Sequence, residues 1–105
     1  MNEASQASVS KNLAWFKLSE FISRGEKERA FSIYKVLMLA FDNQGYCLLV
    51  EGDLHASFDE NQEALSKYLE AAKIYELQKN TFLQSVVYES IVKVSKNLLY
   101  WKKLL

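Results

Sequence analysis

A chain of 105 residues, half hydrophobic and a quarter charged, is enough for one small globular domain, a composition unlike that of a disordered or coiled-coil chain. Thirteen basic residues balance thirteen acidic ones, which leaves no basic surplus to draw the chain to nucleic acid. One cysteine, Cys47, excludes an intrachain disulfide and a multi-thiolate zinc site, and no apolar run approaches the ~18 residues of a membrane span.

The first ten residues have neither the basic start nor the apolar centre of a secretory signal. With little there to bury, 1–10 is expected to be a flexible tail and 11–105 a single helical domain. Ser10 or Asn12 is the expected cap of a first helix, whose apolar positions Leu13, Trp15, Phe16, Leu18, Phe21 and Ile22 fall in a helical rhythm. Gly25 stands where a left-handed residue would end it. A second helix is expected over 26–41, followed by a turn at 42–45 with the composition "DNQG". A third covers 46–56. Asp59 is the expected N-cap of a fourth, ending near Lys79, and Asn80 or Thr81 caps a fifth. That last helix either runs on to Leu104 or restarts after Ser95. No proline interrupts any of this.

Ala30 and Tyr34 in the second helix return 34 residues later as Ala64 and Tyr68 in the fourth, with Leu37 answered by Ala71. A period of roughly 20 to 50 residues marks stacked helical or strand repeats, each unit burying its apolar face against the next. Gly52 lies mid-helix, where glycine costs about 1 kcal/mol relative to alanine, so it points to a close helix crossing.

On Leu48, Gly52, Ala64, Tyr68 and Ala71, the chain resembles the tetratricopeptide repeat family. The resemblance spans about 11–95, with one repeat over 11–43, a second over 44–79 and a partial repeat or capping helix over 80–105. It implies an all-α fold of about five helices, in which antiparallel hairpins stack as a short right-handed superhelix. Departures are Leu18 and Leu37 at places usually small, His55 for an aromatic residue and Glu76 for the closing proline.

The same resemblance implies a protein-binding adaptor, because in this family the first helix of each unit lines a concave groove. The residues so placed are Asn12, Trp15 and Ser19, then Tyr46, Leu49 and Asp53, then Asn80, Leu83 and Val87. This groove is apolar and lacks the basic residues that clamp a terminal carboxylate, so a partner helix or an extended apolar peptide fits it, with Asp53 reading one polar or basic group.

No catalytic constellation is found. Cys47, Glu51 and His55 lie along one stripe of the third helix, but a thiol and an imidazole eight residues apart are separated by about 12 Å along the axis. Glu51 is within reach of His55 across one turn, and the pair offers no third metal ligand. The expectation is therefore a cytoplasmic, non-enzymatic protein without cofactor or metal, bound neither to nucleic acid nor stably to membranes. The C-terminal "NLLYWKKLL" gives an alternative function. Leu98, Trp101 and Leu105 form an apolar end that either caps the domain, pairs with a second copy to make a homodimer, or receives the next unit of a longer array.

Overall fold

With no proline to interrupt its hydrogen-bond ladder, the chain folds as an all-α protein. The computed structural model describes the backbone of residues 3–104 and the side chains of residues 12–99. Among them are five helices, α1 (Glu3–Ser23), α2 (Lys27–Met38), α3 (Gln44–Ser57), α4 (Asn61–Leu77) and α5 (Thr81–Leu104). They group into two compact units, Met1–Asp42 and Asn43–Leu105, where chain length alone suggested one domain.

The first unit is the hairpin of α1 and α2. Helix α1 starts well upstream of the expected caps Ser10 and Asn12. Its end follows the expectation: Gly25 adopts φ 72°, Glu26 N–H reaches back to the Phe21 carbonyl at 2.9 Å and Gly25 N–H to Ile22 at 3.0 Å. This is the paired-bond pattern by which a left-handed residue closes a helix. The Arg29 guanidinium lies over the Phe21 ring, 5.9 Å from its centroid, and ties α2 to α1. Leu18, Ala30, Tyr34 and Leu37 are buried. Helix α2 stops at Met38 rather than near residue 41, because Leu39, Ala40 and Phe41 bond three residues back and tighten the last turn.

In the second unit α4 is central, with α3 packed on it from one side of the sequence and α5 from the other. Asn43 begins α3 by accepting the Tyr46 N–H at 3.0 Å, and Asn80 begins α5 by accepting the Leu83 N–H at 3.1 Å. Helix α5 passes Ser95 without a break. Asp59 is not the N-cap of α4. It takes φ 59° and closes α3, with Glu60 N–H on the His55 carbonyl at 3.0 Å. Lys79 at φ 56° closes α4 in the same way, with Asn80 N–H on the Tyr75 carbonyl at 2.9 Å.

Two glycines let α3 lie close against α4. A Cβ on Gly52 would stand 2.5 Å from Cε1 of Tyr68, and one on Gly45 would stand 2.9 Å from Cε1 of Tyr75. Both glycines and both tyrosines are seven residues apart, so the two contacts repeat in antiparallel register along one helix seam. Tyr68 and Tyr75 are buried with Ala64, Ala71, Ala72, Leu49, Val87 and Val94 in one core, against which Leu83, Ile91 and Leu98 also pack.

Candidate interaction surface

The residues expected to line a groove have different surroundings. On α1, Asn12 and Ser19 are exposed and Trp15 is half-buried. On α3, Tyr46 is half-buried, while Leu49 is 8 % exposed and belongs to the core of the second unit. On α5, Val87 is completely buried and Leu83 packs against the same core. Leu49 and Val87 are thus packing residues, not ligand contacts, because the stripe of each helix that carries them turns toward α4. Asn80 is used as a helix cap.

Asp53 is also committed within the fold. It accepts a hydrogen bond of 2.5 Å from the Tyr68 hydroxyl, which in turn interacts with the Ser90 side chain on α5. One buried tyrosine therefore joins polar groups of α3, α4 and α5. Asp53 is exposed as a residue, yet its carboxylate loses hydration against the neighbouring helices, and this raises its pKa. The Tyr68 bond and the charge of Lys93 act in the opposite sense. Burial and the adjacent Asp53 carboxylate both push the Tyr68 phenol upward, so it remains a neutral donor.

A second polar cluster surrounds His55. Its Nδ1 is 3.0 Å from Oε1 of Glu60, its Nε2 is 3.9 Å from Oε1 of Glu51, and Lys67 Nζ is 3.8 Å from the same Glu51 oxygen. The expected partner across one helical turn is the more distant of the two carboxylates. Glu60 stands at the N-cap position of α4 without capping it through its side chain. Its carboxylate faces His55 instead, which ties the end of α3 to the start of α4. Burial raises the pKa of the Cys47 thiol, and the nearby Glu51 charge adds to the shift, which keeps it protonated near neutral pH. Among the described residues no group of three or more His, Cys, Asp and Glu side chains is arranged to hold a metal ion, and no helix is long and apolar enough to cross a membrane.

Compared with protein-family models, with curated proteins and with solved structures, the chain matches none.

The outer face of α5 supplies what the groove residues do not. Tyr88, Val92 and Leu99 are 49 %, 51 % and 60 % exposed, and at about 100° per residue they fall within a sector of about 40°. Ser85 and Ser95 continue the same stripe at alternating steps of three and four residues. Ser85, Tyr88, Glu89 and Val92 line a shallow open depression on it. Gln84 Nε2 donates to the Tyr88 hydroxyl at 2.9 Å and orients the ring along the helix. The adjoining face of α5, through Val87, Ile91, Val94 and Leu98, centred about 110° around the axis, is spent on the core. Leu98 is consequently half-buried; its neighbour Leu99 is the exposed leucine of the C-terminal segment among the described residues. Trp101 and Leu105 lie outside the residues whose side chains are described.

Proposed function

We propose that the chain is a protein-interaction module that docks a helix of a partner on the outer face of α5. The observation that carries this reading is the stripe of Tyr88, Val92 and Leu99, three large apolar side chains about half or more exposed on a helix whose other face is already buried. A helix with two apolar faces fits a position between two packing partners. The tetratricopeptide-like reading belongs to the same proposal. It is supported by the contact of Gly52 with the Tyr68 ring and by the complete burial of Ala64 and Ala71 on the same helix.

A photoreactive phenylalanine analogue replacing Tyr88 tests the docking face, with the same group at exposed Lys73 on α4 as the control. Protein adducts are expected from position 88 in the cell of origin, absent from position 73, and lost when Val92→Glu is added. Adducts of equal yield at the two positions, or none at position 88, would overturn the proposal.

A further inference from the structure

We propose that the helix docked on α5 is α5 of a second copy, antiparallel to the first. This rests on the docking reading above and adds the partner and its register. The stripe Ser85, Tyr88, Val92, Ser95, Leu99 has the four-three spacing of a two-helix seam. Glu89 and Lys96, both exposed, flank it on one side, seven residues apart. Among the described residues neither makes an ion pair within its own chain.

Two antiparallel registers bring alternating seam positions into layers. In one, Tyr88 meets the second copy's Val92 and Ser85 meets Ser95, but then Glu89 lies beside the second copy's Glu89. In the other, Val92 meets Ser95, Tyr88 meets Leu99, and Glu89 lies beside Lys96 twice over, once on each side of the two-fold axis. The charges therefore select the second register, because like charges at such flanking positions disfavour the first. A parallel pairing would stack Tyr88 on Tyr88 and would leave Glu89 opposite no basic residue. The selected contact is isologous, the form taken by most homodimers. With three large apolar side chains from each copy, it belongs with weak dimers, with a dissociation constant on the order of micromolar to tens of micromolar.

Sedimentation equilibrium on the whole chain across that concentration range, at low salt, tests the pairing. The wild type is expected to dimerise and Val92→Glu to remain monomeric. Glu89→Lys and Lys96→Glu alone are each expected to weaken dimerisation roughly tenfold, since each turns two attractive pairs into repulsive ones. The double swap of both residues is expected to restore the wild-type constant. All substituted positions are exposed, and circular dichroism on each variant confirms that the fold is kept. A wild type that stays monomeric, or a double swap no tighter than the single variants, would overturn the self-pairing. The docking reading fails separately. If position 88 crosslinks only to other proteins, that reading stands and self-pairing falls. If position 88 gives adducts of twice the chain mass that map near Leu99 of the second copy, both stand.

Discussion

Replacing Gly52 with alanine sets two effects of opposite sign against each other. In an open helix the change stabilises by about 1 kcal/mol, because alanine is the better helix former. Here the new Cβ would lie 2.5, 2.7 and 3.1 Å from Cε1, Cδ1 and Cζ of Tyr68, whereas carbon atoms prefer about 3.5 to 4.0 Å. About 1 Å of separation must come from the ring or from the helices. The ring has little freedom, since Tyr68 is 2 % exposed and its hydroxyl is held by Asp53. Overpacking of this kind costs about 1–3 kcal/mol, and weakening a hydrogen bond to a charged acceptor adds about 1.5 kcal/mol or more. After subtracting the propensity gain, a net loss of about 2 kcal/mol is expected.

Urea denaturation followed by circular dichroism measures it directly, and a double-mutant cycle assigns the cause. In a Tyr68→Leu background the ring edge is gone, so Gly52→Ala should recover most of its propensity gain. The coupling between the two sites is then about 2–3 kcal/mol. If Gly52→Ala stabilises by about 1 kcal/mol in both backgrounds, there is no close approach of α3 and α4 at this point.

The two core tyrosines should respond in opposite ways to loss of their hydroxyls. Tyr68→Phe leaves the Asp53 carboxylate without its donor and is expected to cost about 1–3 kcal/mol in urea denaturation. Tyr75→Phe removes a buried hydroxyl that has no hydrogen-bond partner among the described residues, and is expected to be neutral or to stabilise by up to about 1 kcal/mol. Asp53→Asn gives a pH signature. Because folding raises the Asp53 pKa above its ordinary 3.8, its contribution is fully present below that value and is lost as pH rises through the folded-state pKa. The asparagine variant, which cannot ionise, should therefore gain on the wild type between pH 3 and 7 in thermal melts; a constant difference would contradict the shift. Lys79→Gly relieves a left-handed residue at the end of α4 and should raise stability by up to about 1 kcal/mol, read from the denaturation midpoint.

Sequence alone located much of the second unit because its packing is written in small residues. A glycine inside α3 and alanines at the recurring places of α4 have few explanations other than close contact, and Gly52, Ala64 and Ala71 all serve that purpose. The companion contact of Gly45 with Tyr75 escaped, although the same seven-residue spacing announces it. Gly45 sits beside Asp42, Asn43 and Gln44, and that composition reads as a turn, whereas Asn43 caps the helix and places Gly45 inside its first turn. Asp59 escaped for a related reason. Aspartate favours both N-caps and left-handed backbone, and composition does not distinguish the end of one helix from the start of the next.

The functional assignments fared differently because faces depend on rotation about a helix axis, which a repeat period fixes only when the period is regular. Extending 34 residues from α3 placed Leu83 and Val87 on a groove, but α5 rotates so that Val87 enters the core. The face left outside carries Ser85 and Ser95 alongside Tyr88, Val92 and Leu99, and the serines dilute the apolar rhythm by which a buried stripe is recognised in sequence. In an antiparallel pair those serines have a place. Tyr88 against Leu99 fills the two ends of the seam, and Ser95 against Val92 keeps the middle narrow enough for Glu89 to reach Lys96. A uniformly leucine-rich face would bind more tightly and with less choice of register. In the proposed pair, the mixture of large, small and charged residues on α5 would select one arrangement of two helices over its neighbours, at the cost of affinity.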